Sequence, residues 1–289
     1  MKKQNVEWSD FLNPTQKEID ALSKKFGLHP VIAEELKHPS ARSRVENYGF
    51  YLFIVHYFPV YDPKEKTSHR TEIDFLISKD AIATIRYDEA EALREFERKN
   101  NSSTYMLTYE IIEALLAFQE RQLRHIRDSV EAIGKELFKN TERGLLEKIS
   151  FLKRDISEYR MIVRLQGATL RSLVTNGKQF WGTESEPYLE DLVGDHLNIV
   201  HQIEDCRETV SDFEDTNNQI MNMKINTVMQ TFTSLSFLTF PFMLLAAIFS
   251  MNTKGTPIVD NPHAFWIILG FMATGMIVLA TLFRNKKWF

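Results

Sequence analysis

The sequence predicts an α+β head, a mixed sheet with flanking helices, followed by long helices and a C-terminal two-helix transmembrane hairpin. Three observations carry this reading. Residues between Tyr51 and Tyr87 form short runs rich in aromatic and β-branched side chains. From about Ser103 the apolar residues recur at helical spacing. Finally, Ile225 to Thr253 contains no Asp, Glu, Lys or Arg, and neither does Asn261 to Phe283. A bilayer core of about 30 Å needs roughly 20 apolar helical residues at about 1.5 Å rise each, so both stretches are long enough to span it.

The elements follow in order. Thr15 caps a helix over Gln16 to Phe26, with Glu18 in the capping-box position and Gly27 as the stop. His29-Pro30 opens a second short helix, Val31 to Lys37, closed by His38-Pro39-Ser40. Three strands are expected at Tyr51 to Val60, Glu72 to Ser78 and Ala81 to Tyr87, with turns at Asp62-Pro63-Lys64-Glu65 and Lys79-Asp80. Helical runs then cover Thr104 to Leu137, Leu145 to Val174 after a polar break at Asn140-Thr141, and Leu189 onward. No proline lies between Pro187 and Pro241, so the third run is expected to enter the membrane without interruption and become the first span. A helix that long needs lateral partners, which implies oligomerisation. These boundaries divide the chain into an α/β domain (1–100), a long-helix stalk (101–224), the first membrane helix (225–252), an external loop (253–262), the second membrane helix (263–283) and a basic tail (284–289).

Whole-chain averages conceal the hairpin. The net charge is −4 and charged residues make up 26% of the chain, with a mean hydropathy of −0.26, so the first 220 or so residues must be strongly polar. The acidic balance argues against a nucleic-acid partner. A single cysteine, Cys206, excludes an intrachain disulfide and a cysteine-rich metal site. The N-terminal residues lack the apolar core of a signal peptide. Arg284, Lys286 and Lys287 directly after the second span, with Trp288 and Phe289 suited to the interface, place that end on the cytoplasmic side. Both termini and the head are then cytoplasmic, in an integral protein of the cytoplasmic membrane, and the link from Met251 to Pro262 lies outside.

Two groups of residues could carry chemistry. Asn226, Met229, Thr233, Ser236, Phe240, Met243, Ala247 and Ser250 follow the 3-4 spacing of one helix face. Small and polar residues on such a stripe serve either helix–helix packing or the wall of a pore. A pore without carboxylates would pass a hydrated ion along carbonyl, amide and hydroxyl oxygens, a path that suits magnesium because it gives up its waters reluctantly. The third helical run is acidic before the membrane, including Asp191, Asp195, Glu204, Asp212 and Asp215. That is either a solvated face or, where protomers meet, a cytosolic divalent-cation sensor. The histidines are scattered, and no phosphate-binding glycine loop, Ser/His/Asp arrangement or cysteine nucleophile supports an enzyme.

The chain resembles the CorA family of divalent-cation channels, the two-transmembrane or GMN type. The resemblance rests on Asn13-Pro14-Thr15, Phe26-Gly27-Leu28-His29-Pro30, Val45-Glu46-Asn47-Tyr48, Tyr51-Leu52-Phe53-Ile54-Val55, Asn226-Thr227-Val228-Met229, Phe240-Pro241-Phe242, Ala246 to Asn252 and Lys286-Lys287-Trp288-Phe289, in order and at the right spacing. It implies a CorA-like funnel, a homopentamer whose first spans line a central pore. It also implies a Gly-Met-Asn filter at the outer end, here Ser250, Met251 and Asn252. Serine in place of glycine is the main departure, because glycine adopts backbone conformations that serine reaches only at a cost. Asn226, Met229 and Phe240 would be constrictions, with Phe240 an apolar gate that blocks ions by dewetting. Asp215 would form a ring at the cytoplasmic mouth, and Asp191 a regulatory metal position. Magnesium would be both cargo and regulatory ligand, with no cofactor, and cobalt or nickel as further cargo. A zinc transporter of ZntB type and a non-conducting membrane-anchored sensor remain alternatives on the same scaffold. The first charge in the external loop is Lys254, and Asp260 follows later, so the loop attracts cations weakly.

Overall fold

The computed structural model describes residues 6–96, 103–137, 144–251, 258 and 262–285. The chain divides into two compact units, Met1–Glu214 and Asp215–Phe289.

The first unit holds a five-stranded sheet in the order β1-β5-β4-β3-β2. The strands are β1 (Glu7–Leu12), β2 (Arg44–Asn47), β3 (Leu52–Asp62), β4 (Thr67–Ile77) and β5 (Ala81–Arg86). β1 pairs parallel with β5, and the remaining pairs are antiparallel, so the sheet is mixed as expected. The sequence predicts three strands, and the structure adds two. β1 is short and mixes polar with apolar residues out of strict alternation, and tertiary partners hold it: Trp8 Nε1 donates to Thr84 Oγ1 at 3.2 Å, and Arg86 bridges Asp10 at 3.0 Å. β2 is an edge of four residues tied to the short helix before it through Arg44 and Glu35, 2.6 Å apart. Neither strand carries the apolar alternation that marks a strand from sequence.

α1 (Gln16–Phe26) is built as its sequence dictates. Thr15 and Glu18 close the capping box, and Gly27 terminates the helix with φ of 65°. α2 spans Pro30–Glu35, with the His29 side chain accepting from the Val31 N–H at 3.3 Å. Residues Leu52 to Phe58 of β3 are all buried, so this strand is covered on both faces and reads as a continuous apolar run. Phe53, Val55 and Tyr57 join Ile19, Leu22, Phe26, Ile32 and Leu36 in one core. The alternate residues face the long helices: Phe58 meets Phe118 edge-on at 6.4 Å, and His56 approaches Gln166.

A short helix, α3 (Glu91–Arg94), precedes α4 (Thr104–Leu137) and α5 (Leu145–Trp181). α5 runs seven residues beyond the expected Val174 and ends at Gly182, φ 101°. A 3₁₀ turn at Thr183–Ser185 leads into α6 (Glu186–Phe249), 64 residues long. The part of α6 up to Glu214 belongs to the first unit, where Leu189, Leu192, Ile199, Ile203 and Val210 are buried.

The second unit contains the remainder of α6, with Pro241 inside the helix, and α7 (Ala264–Asn285). Both helices contain segments long and apolar enough to cross a membrane. Phe242 is buried here against Gly275, where an added Cβ would lie 2.9 Å from its ring. Most other large apolar side chains of this unit are exposed, among them Phe232, Phe237, Phe240, Met243, Phe265, Trp266 and Phe271.

Candidate functional site

The predicted stripe lies on the C-terminal part of α6. Asn226, Met229, Thr233, Ser236, Phe240, Met243 and Ala247 are all exposed in the single chain. Met229, Thr233, Ser236 and Phe240 line one concavity of about 550 Å³, together with Phe232, Phe237 and Pro241. Those last three were not among the expected site residues. Their signal is positional, because each lies within four residues of a predicted member and so falls on or beside the same face.

The hydroxyls on this helix share one geometry. Thr227, Thr231, Thr233, Ser236 and Thr239 each donate to the backbone carbonyl four residues earlier, at 2.8 to 3.0 Å. Each hydroxyl hydrogen is thereby engaged, and the oxygen is left as an acceptor. Thr233 and Ser236 present such oxygens within the concavity. Acceptor oxygens without formal charge hold the hydrogens of a cation's water shell without stripping the shell. Phe240, 63% exposed, adds a bulky apolar ring to the same concavity.

α6 ends at Phe249, and the next residues tighten. Ser250 N–H donates to Ala246 C=O at 3.0 Å, and Met251 N–H to Ile248 C=O at 3.2 Å. Ser250 keeps a negative φ; the non-glycine residues with positive φ are Asn13, Lys66 and Ile258 among the described residues. The expected backbone cost of serine at this position therefore does not arise. Asn252, and most of the external loop with Lys254 and Asp260, lie outside the described residues, as does the 286–289 tail.

Asp215 and Asp191 are both exposed on α6. Asp191 accepts from the Tyr109 hydroxyl at 2.9 Å, and Glu113 lies 3.2 Å from the same hydroxyl. Burial, then the hydrogen bond to Asp191, push the Tyr109 hydroxyl pKa up. Asp195, one turn after Asp191, is raised by burial and then by the charges of Asp191, Glu113 and Glu120. Tyr109 and Glu113, four apart on α4, are the neighbours of Asp191 that sequence reasoning left unplaced. Among the described residues, no three His, Cys, Asp or Glu side chains are gathered closely enough to hold a metal ion.

The CorA-like Mg2+ transporter protein model matches residues 3–286. This chain belongs to that family. It is a membrane protein of a transporter family and not an enzyme. The cobalt/magnesium transport protein CorA of Thermotoga maritima is 24% identical over 279 residues, covering 93% of this chain and 79% of the relative. The cobalt/magnesium transport protein CorA of Methanocaldococcus jannaschii is 22% identical over 290 residues, covering 97% of this chain and 90% of the relative. The complete structure of the magnesium transporter CorA from Methanocaldococcus jannaschii superposes with a TM-score of 0.84 at 22% identity. It covers 98% of this chain and 91% of that one, and shows the same fold.

Proposed function

We propose that this chain conducts divalent cations across the cytoplasmic membrane, with magnesium as the main cargo and cobalt or nickel as further cargo. The observation that carries this reading is the α6 stripe. Met229, Thr233, Ser236 and Phe240 share one concave face without any carboxylate, and the Thr and Ser oxygens on it are free to accept from a cation's water shell. An exposed polar stripe on a membrane helix is costly against lipid, so it must face protein or water. A homopentamer with the first spans around a central axis satisfies both demands.

In that assembly Ser250, Met251 and Asn252 form the outer filter, a Ser-Met-Asn variant of the family's Gly-Met-Asn. Asn226, Met229 and Phe240 narrow the path, and Met243 and Ala247 line it further out. Asp215 forms a ring at the cytoplasmic mouth. Both termini are cytoplasmic, and the functional divisions fall at 1–100, 101–224, 225–252, 253–262, 263–283 and 284–289. Cytosolic magnesium regulates through Asp191. Among the described residues of one protomer it meets Tyr109 and nearby carboxylates, so a neighbouring protomer completes the site and bridging favours the closed state. The membrane potential, worth about 2.3 kcal/mol per charge per 100 mV, drives a divalent cation inward.

Growth of cells lacking their own magnesium importers tests this reading. The native chain restores growth at low magnesium, and Asn252→Ala abolishes the rescue. Liposomes that hold the purified protein and take up no divalent ion under an inward-negative potential would refute it. Ser250 favours a second reading, a non-conducting sensor on the same scaffold, and a zinc carrier of ZntB type is a third. Zinc uptake that follows a pH gradient while magnesium stays still marks the carrier. A silent native chain restored to conduction by Ser250→Gly marks the sensor.

A further inference from the structure

A groove between α5 and the head part of α6 is unlike anything the transport reading uses. It encloses about 260 Å³. α5 lines it with Arg160, Arg164, Gly167 and Arg171, a single stripe by helical spacing. α6 faces them with His196 and Glu204. Gly167 leaves bare backbone at the floor. A Cβ placed there would sit 2.9 Å from His196 Nε2 and 3.4 Å from Arg171 Nη2, so two nitrogens converge over one spot.

Charge in the groove is not balanced. Arg160 is paired with Glu204, which also accepts from Arg207 at 2.8 Å. Arg164 and Arg171 have no ion-pair partner among the described residues. His196 is only 3% exposed, and its Nδ1 is buried with no hydrogen-bond partner among the described residues. The other ring nitrogen, Nε2, is the one that meets the Arg171 guanidinium over Gly167 at the groove floor. Burial, then the nearby Arg171 charge, lower the His196 pKa to about 4, so at neutral pH the ring carries one N–H donor.

We infer that this groove binds a phosphate-bearing anion through Arg164, Arg171 and His196. Two unpaired guanidiniums match a dianionic phosphate better than a single carboxylate, and their planar forks fit phosphate oxygens in pairs. The volume falls below the roughly 300–1,000 Å³ of a site for a whole drug-sized ligand. It therefore takes one or two phosphate groups, and any remaining part of the ligand lies over the open rim. The inference stands on the head alone and holds whichever ion crosses the membrane.

Calorimetric titration of the purified full chain, in detergent with EDTA at pH 7, tests the site. The probes are inorganic phosphate, pyrophosphate and ATP. The variants are Arg164→Ala, Arg171→Ala and, as a control on an exposed arginine of α4, Arg124→Ala. Saturable binding of one anion per chain is expected. Arg164→Ala and Arg171→Ala each weaken it tenfold or more, while Arg124→Ala leaves it unchanged. Equal affinity for phosphate and ATP assigns the site to free phosphate, and tighter ATP binding assigns it to a nucleotide. No saturable binding of any probe, or equal affinity in Arg171→Ala and Arg124→Ala, overturns the inference. So does loss of the oligomer in Arg164→Ala or Arg171→Ala, read by native mass spectrometry, with anion binding intact. That result would mean the arginines hold a neighbouring chain.

Discussion

The two units use the same apolar side chains in opposite ways. In the head, Phe53, Ile54, Phe58, Phe75 and Leu76 are fully buried, and the helices on either side of the sheet keep water out. In the membrane unit, Phe265, Trp266, Phe271 and Ile277 of α7 are each more than 60% exposed. Exposure on this scale would be a liability in water. In a bilayer it is the stable state, because the lipid tails are as apolar as the side chains. Burial alone therefore says nothing of stability until the solvent is named. The polar residues invert in the same way. The head exposes most of its charges, and the membrane helix instead ties its hydroxyls to its own backbone.

Substitutions can break this comparison, and the largest effect belongs to the head core. Phe53→Ala is expected to destabilise the head by about 3–5 kcal/mol, because the ring is completely buried and the surrounding core cannot fully collapse. Thermal unfolding of the full chain, followed by hydrogen exchange in β3, measures it. A loss below about 1 kcal/mol would mean the sheet is not the core it looks to be.

Next comes charge on an exposed ring. Phe271→Lys on α7 is expected to cost about 2.5–3.5 kcal/mol of membrane insertion, whereas Phe50→Lys in the head, at 87% exposure, stays within about 0.5 kcal/mol. Insertion assays against a soluble-fraction control read both. Equal tolerance at the two positions would remove the lipid from the argument.

The third contrast is pH. His56 is completely buried on the helix-facing side of β3, and burial, then the His196 charge, hold its pKa down at about 4. A depressed histidine adds stability above its unfolded value and loses it as pH falls through the folded one. Between pH 7 and 5 this is worth about 2 kcal/mol for His56. Asp74, raised chiefly by burial, works the other way: its contribution is lost as pH rises. His56→Gln should therefore flatten the fall in head melting temperature from pH 7 to 5 while the membrane helices show no matching change. An unaltered slope would show that this histidine does not report on the head.

The smallest expected effect is at the Asp191 cluster. Tyr109→Phe removes one hydrogen bond at 2.9 Å from a half-exposed hydroxyl, worth about 1 kcal/mol or less. Its informative readout is the magnesium concentration that inhibits transport. A shift there without a stability change ties the cluster to regulation, and no shift in either leaves Asp191 as solvated surface.

How much was legible beforehand follows from range. α1 was readable to the residue because a capping box and a terminal Gly27 are local devices. α4 was readable at both ends, and the membrane helices were readable because a run of uncharged residues is decisive whatever packs beside it. β1 and β2 were not. The partners of β1, Thr84 and Arg86, are distant in sequence, the partner of β2, Glu35, lies on a separate helix, and neither strand has an apolar pattern of its own. On the stripe, Met229, Thr233, Ser236 and Phe240 could be listed from helical spacing, but Phe232, Phe237 and Pro241 emerged only with the concavity they share. Asp191 could be named on its helix, and Tyr109 and Glu113 could not, because pairing α4 with α6 is a tertiary event.

The sequence by itself determined the passage from strands to long helices, the two apolar C-terminal helices and the polar stripe on the first, since periodicity and hydropathy act over a few neighbouring residues. Tertiary structure decided the strand order β1-β5-β4-β3-β2, the negative φ with which Ser250 leaves the helix, and the groove in which Arg164, Arg171 and His196 meet. Those depend on which distant segments come within a few ångströms, and no local pattern encodes that distance.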